Sequence, residues 1–267
     1  MTKGAAQSGH KSLESSVVDW LNKSGFPLEM RAAKVIRSAG PDVYGQSQYY
    51  TDPKTNELRE VDIMASWASV IGDEHKWIHL VVEYKGPDGV WILFRHRDED
   101  YVANGRHIMF LRSAPSNFAQ PDSGPIATAY TQSPVPALLQ GEHNPCYGIT
   151  QKGDGRGKDH AYEATRQAAS GAFGVLQNVT KTNDILRAQY CLPLVVTTCR
   201  LFVAELDENN DIKVTETDRD SVIVPTHETD DHSAEVHIVH ESALPQFMAD
   251  FVELAQGILT PGNLTAI

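Results

Sequence analysis

Glu83-Tyr84-Lys85 closes the apolar run HLVVEYKG, residues 79–86. Alternate side chains of a β-strand share a face, so Glu83 and Lys85 are expected to point the same way as Val81, with Leu80, Val82 and Tyr84 opposite. A carboxylate and an ammonium on one side of a buried strand need a reason, because burying an unpartnered charge is costly. A second acid, Asp62, stands inside REVDIMAS, residues 59–66, where Val61 and Ile63 are expected to face the core and Asp62 and Met64 to point away. Neighbouring strands would bring the two carboxylates together. At about 4 Å their repulsion is roughly 4 kcal/mol for an effective dielectric near 20. A divalent cation turns that repulsion into attraction, and an all-oxygen ligand set favours Mg²⁺ or Mn²⁺ over zinc. The bare pattern acid-x-Lys also occurs at Asp52-Pro-Lys54, Glu74-His-Lys76 and Asp211-Ile-Lys213. Only the Glu83 copy ends a strongly apolar strand and follows a mid-strand acid.

The elements that must position these groups read as an α/β layout, with one central mixed sheet flanked by helices. Ser12 to Lys23 places Leu13, Val17, Trp20 and Leu21 at helical spacing, with Ser12 as N-cap. A second helix is expected from Pro27 to Ala39, buried through Leu28, Ala32, Ile36 and Ala39 and stopped by Gly40-Pro41. Val43 to Thr51 and Leu58 to Ser66 read as a hairpin, Ile78 to Lys85 as a third strand and Val90 to Arg95 as a short fourth. From about Ser113 to Asp159 the chain is rich in Pro, Gly, Ser and Asn and is expected to be a long irregular insertion. Ala161 to Val179 reads as a helix with Tyr162, Thr165, Ala169, Phe173, Leu176 and Val179 on one side. Leu192 to Leu206 and Ile212 to Thr217 read as a hairpin turning at DENND, Val236 to Val239 as a strand, and Leu244 to Ile258 as a closing amphipathic helix. No linker divides the chain, so residues 10–267 are expected to form a single domain, with 1–9 as a disordered tail.

Composition narrows the function classes. The chain has 267 residues, a formal net charge of -12, and no apolar run of the roughly 18 residues a membrane helix needs. MTKGAAQSGHKSLES lacks the apolar centre of a signal peptide. Cys146, Cys191 and Cys199 are odd in number and have no CxxC spacing, which argues for a reducing, cytoplasmic setting and against a thiolate zinc site. The negative charge offers no basic stripe for duplex nucleic acid, so a nucleic-acid function would need a local basic patch, a metal ion or a partner chain.

LEMRAAKVIRSAG, REVDIMAS and LVVEYKG, in that order, resemble the restriction-endonuclease-like, or PD-(D/E)XK, nuclease superfamily over about Ser12 to Phe94. The resemblance implies a restriction-endonuclease-like fold and a metal-dependent phosphodiesterase, acting on DNA in restriction or antiviral defence. Asp62, Glu83 and the backbone carbonyl of Tyr84 would ligate Mg²⁺ or Mn²⁺, and Lys85 would activate the attacking water. Glu29, on the preceding helix, would complete the catalytic set, with Glu14 as second choice. The acidic charge points to a partner such as an ATPase or specificity subunit, and a homodimer is also open. Two departures stand out: Val61 takes the place of the superfamily's proline, and neither Gln167 nor Gln177 has Tyr four residues on, which disfavours the RecB-like branch.

Bland readings compete at every position. Glu29 and Glu14 suit a first helical turn without catalysis; Asp62 could pair with Arg59; Glu83 and Lys85 could be an ion pair of little worth. The alternative for the whole chain is a nuclease-fold module that binds nucleic acid or protein without catalysis. Arg95 and Arg97, just past the site strands, are candidates for phosphate contacts. GDGRGKD (153–159) fails the Walker spacing and reads as a loop; HETDDH (227–232) reads as a solvated connector; His237 and His240 read as surface residues.

Overall fold

The computed structural model describes residues 12–52, 55–71, 74–86, 89–96, 111–113, 145–153, 158–180, 187–225 and 233–259. Its helices are α1 (Leu13–Leu21), α2 (Phe26–Ser38), α3 (His160–Thr180) and α4 (Leu244–Leu259). The strands are β1 (Val43–Thr51), β2 (Leu58–Ile71), β3 (Glu74–Lys85), β4 (Val90–Phe94), β5 (Leu111–Ser113), β6 (Gly148–Gln151), β7 (Arg187–Thr197), β8 (Arg200–Leu206), β9 (Ile212–Thr217), β10 (Arg219–Pro225) and β11 (Ser233–His240). The fold is α/β with mixed sheets flanked by helices.

Two sheets stand where the sequence suggests one. The larger runs β1-β2-β3-β7-β11-β10, with β5 beside β7. β1, β2 and β3 form an antiparallel meander, and β3, β7 and β11 then run parallel. The smaller sheet is β6-β4-β8-β9. It arises because β3 continues into β4, and β7 into β8, across links of a few residues, and β4 and β8 again pair parallel. The run Leu192 to Leu206 is thus two strands in two sheets, broken at Thr198-Cys199, while the DENND turn does join a hairpin, β8–β9. β6 lies inside the stretch expected to be irregular, and β10 was not anticipated from sequence.

The two faces of the large sheet carry separate cores. Leu80, Val82, Ile63, Leu192 and Leu194 pack under α2 and α4, through Leu28, Ile36, Phe247 and Phe251. Val81, Val195 and Val236 face α3, which lays Ala161, Ala164, Ala168, Ala169 and Ala172 across both sheets. Alanines let the helix approach closely, and glycine lets it approach further still. A Cβ on Gly174 would stand 2.2 Å from Cδ2 of Tyr50, and one on Gly171 3.1 Å from Val81. Tyr162, expected on the buried side of this helix, is half exposed, and Thr165, Ala169 and Leu176 are buried as expected.

Local signals explain the helix ends. The Ser12 hydroxyl accepts the N–H of Ser15 at the start of α1, and Asp159 caps α3 by accepting from the N–H groups of Ala161 and Tyr162. The same Asp159 carboxylate accepts from Thr150 at 2.6 Å, so the end of the GDGRGKD stretch is tied to β6. A polar seam crosses three strands where Ser66 bonds His79 at 2.7 Å and His79 bonds Gln189 at 3.0 Å. α1 departs from expectation: its cap is formed, yet it buries none of its residues. Among the described residues, no helix is long and apolar enough to cross a membrane.

Candidate functional site

β2 and β3 carry the candidate acids at one end of the meander. Their ladder runs from Ile71–Glu74 to Ile63–Val82 and stops there. One residue further on, the N–H of Tyr84 bonds the Asp62 carboxylate at 2.7 Å instead of a backbone carbonyl. A side chain thus takes over where the ladder ends, which satisfies a buried donor and holds Asp62 against β3. The strand's alternation breaks at this point. Val61 joins the core under α3 and Ile63 the core under α2 and α4, so the expectation that both face one core is corrected. On β3 the alternation holds: Val81 faces α3, and Leu80, Val82 and Tyr84 face the other way.

Glu83 is a strongly perturbed group. Its residue surface is only 6% exposed. Burial, then the neighbouring charge of Asp62, push its pKa from an ordinary 4.5 to about 8, with Lys85 opposing and Glu60 adding to the rise. Asp62 is half buried and raised as well, first by burial, while the Tyr84 N–H and Lys85 pull it down and Glu60 pushes it up. Glu29 near the start of α2 is raised by burial and by the fields of Asp62 and Glu60. Asp62 and Glu83 therefore feel Lys85 and Glu60, and Glu29 feels Asp62 and Glu60 from α2. Lys85 is half buried at the end of β3.

Asp62, Glu83 and Lys85 thus share one electrostatic neighbourhood, which Glu29 meets only through Asp62 and Glu60. It leaves Glu14 outside: exposed on α1, its carboxyl is held below the usual range by its own backbone hydrogen bond and by Ser12. Sequence reading missed Glu60, whose charge raises Glu29, Asp62 and Glu83. It also missed the Tyr84 side chain, whose buried hydroxyl has no hydrogen-bond partner among the described residues. Asp62 is not the partner of Arg59, which pairs with Asp52 at 2.7 Å.

Arg95 is corrected as a phosphate contact. Its guanidinium is buried against Asp220 at 2.5 Å, with the side chains 10% and 11% exposed, and the pair ties β4 to the edge strand β10. Arg97 and HETDDH lie outside the described residues. His237 is also corrected: it is buried beside Phe247, its pKa driven down to about 3 by burial and then Arg219. Burial raises the Cys146 and Cys191 thiols, and all three cysteines are buried and outside any disulfide.

A hard cation fits this donor set in chemistry and lacks a ready-made cage. Mg²⁺ commonly takes one or two protein carboxylates and keeps several waters. Asp62 and Glu83 would supply two, and the Tyr84 carbonyl points to the side of the strand where its N–H meets Asp62. Among the described residues, no three His, Cys, Asp or Glu side chains are grouped to hold a metal ion. Compared with protein-family models, curated proteins and solved structures, the chain matches none.

Proposed function

We propose that the protein is a Mg²⁺- or Mn²⁺-dependent nuclease of restriction-endonuclease-like fold, hydrolysing phosphodiester bonds in DNA. The observation that carries this reading is the buried Glu83 carboxyl, raised to about 8 beside Asp62 and Lys85 at the open end of the β2–β3 ladder. A strongly perturbed acid with a named charge partner is a mark of functional sites. The antiparallel meander, followed after a helix by a strand parallel to its third member, supports the fold part of the reading.

Asp62, Glu83 and the Tyr84 carbonyl would hold the ion. When bound, it polarises the scissile phosphate and offsets charge that builds in the transition state. Lys85 orients the attacking water and steadies the phosphate's charge beside it. Glu29, which feels Asp62 from α2, would act on a water beside the ion and not as a ligand to it. The site lies in a chain of net charge -12, so tight grip on DNA is assigned to a partner subunit. Buried cysteines without a disulfide support a cytoplasmic setting.

The test is plasmid nicking with Mg²⁺ or Mn²⁺ by wild type and Lys85→Ala. Cleavage by wild type that falls at least about a hundredfold in Lys85→Ala supports the reading. Equal cleavage by both proteins removes it.

A second reading has its own observation. At neutral pH and without a cation, Glu83 is held protonated, and no three-ligand group stands ready among the described residues. That suits a nuclease-derived module that binds nucleic acid or protein without cutting. It requires binding that survives Asp62→Ala and Glu83→Ala and ignores chelation.

A further inference from the structure

We propose that Ser47 is a positioning residue for Asp62: its left-handed backbone opens the rung of the sheet opposite that acid and turns the carboxylate toward β3. Ser47 has φ 51°. The other described non-glycine residues with positive φ, Asn56 and Asn210, lie between strands and are of the type that tolerates this conformation best. Ser47 stands inside β1.

The register sets Ser47 across from Asp62. β1 pairs Gln46 with Ile63 and Gln48 with Val61, and the rung between them is missing. The β2–β3 ladder stops at Ile63–Val82, so Asp62 lies outside both ladders. Both strands change face at this rung. Tyr44 packs toward α2 and α4 and Tyr50 toward α3, although an even separation along a regular strand would put them on one side. Val61 and Ile63 divide between the same two cores in step with them. A regular strand would stand the Asp62 side chain perpendicular to the sheet. Here it accepts the N–H of Tyr84 on the next strand at 2.7 Å.

The residues around Ser47 hold it in this conformation. Its side chain is exposed, so burial does not impose the backbone angle. The Gln48 amide reaches back and donates to the Gln46 carbonyl at 3.0 Å. Gly45 leaves room for that reach, since a Cβ there would stand 2.8 Å from Cδ of Gln48. Left-handed backbone is costly for a residue with a Cβ, and such outliers persist where the geometry they impose is used. For its effect on cleavage this inference rests on Asp62 as a cation ligand. For its effect on the bond between Asp62 and Tyr84 it does not.

Hydrogen exchange of the Tyr84 amide in the cation-free protein, read by NMR, tests it, with the Leu80 and Val82 amides as controls for the strand as a whole. Ser47→Gly and Ser47→Asn accept positive φ and should leave Tyr84 exchanging as in wild type. Ser47→Val is confined to negative φ by its branched side chain and should speed Tyr84 at least about tenfold relative to the controls. Gln48→Ala, a change at an exposed site, should speed it about threefold. Plasmid cleavage should fall with Ser47→Val and return with Ser47→Gly. Absence of cleavage in every protein removes the nuclease reading and leaves the exchange result to decide this one. Tyr84 exchange unchanged by Ser47→Val overturns the proposal, as does equal acceleration by Ser47→Gly. If Ser47→Val does not fold, unchanged exchange in Gln48→Ala overturns it.

Discussion

Replacing Glu83 by Gln should make the cation-free protein more stable, by an amount that grows as pH rises. The folded carboxyl titrates at about 8 against an ordinary 4.5 for the unfolded chain. A group raised by folding contributes fully below the unfolded value, and that contribution is lost as pH climbs through the folded one. The gap between 4.5 and about 8, at about 1.4 kcal/mol per pH unit, is worth up to about 5 kcal/mol. Water entry and relaxation of the carboxylate would absorb part of that. Gln keeps the shape and cannot ionise. Below pH 4.5 the two proteins should be nearly equally stable, and the difference should open between pH 5 and 8. Each kcal/mol moves the melting temperature of a chain this size by about 2–4 °C. Urea titrations of both proteins at a series of pH values read the difference directly. The subtraction matters because Glu235, raised to about 7 by burial, slopes the same way, and His237, lowered to about 3, slopes the opposite way. Both are common to the two proteins and cancel. A difference independent of pH, or one that opens only below pH 4.5, refutes the claim that Glu83 is a buried acid awaiting a counter-charge.

Gly174→Ala should destabilise the fold by at least about 1–3 kcal/mol, because its Cβ would stand 2.2 Å from the Tyr50 ring. Combined with Tyr50→Leu it should cost less than the sum of the two single changes in urea titrations, and strict additivity would count against the contact. Arg95→Ala should cost about 3–5 kcal/mol by leaving Asp220 buried without its partner. Its melting point is the readout, and a stable variant that merely binds DNA less well would restore Arg95 as a phosphate contact.

The strands that carry the candidate site were legible because they rest on local signals. A Glu-x-Lys at the end of an apolar strand and an acid in the middle of the strand before it mark β2 and β3, and the structure keeps β1 at Val43–Thr51 as read, while β2 and β3 run on to Ile71 and from Glu74. What escaped depends on distant partners. Arg95 looks like a free basic residue until β10 brings Asp220, 125 residues later, onto it. His237 looks solvated because histidine and the polar residues before it say so, yet β11 lies between β7 and β10 and beneath Phe247. The second sheet is invisible because β3 and β7 each pass into a new strand through a link too short to read as a crossover. α1 misled in the opposite direction, since its apolar periodicity predicts a buried face and none of its residues is buried among the described residues. The break in alternation at Asp62 is also a tertiary effect, created where the ladder to β3 ends.

The most direct measurement is Mn²⁺ binding, followed by electron paramagnetic resonance at pH 8, for wild type, Asp62→Asn and Glu83→Gln. Asn at position 62 can still accept the Tyr84 N–H, so the substitution removes charge and leaves the strand joined. Wild type should take up the ion, and each variant should lose at least about tenfold in affinity. Binding of equal strength in all three proteins, or none by a folded wild type, would mean that Asp62 and Glu83 do not share a cation.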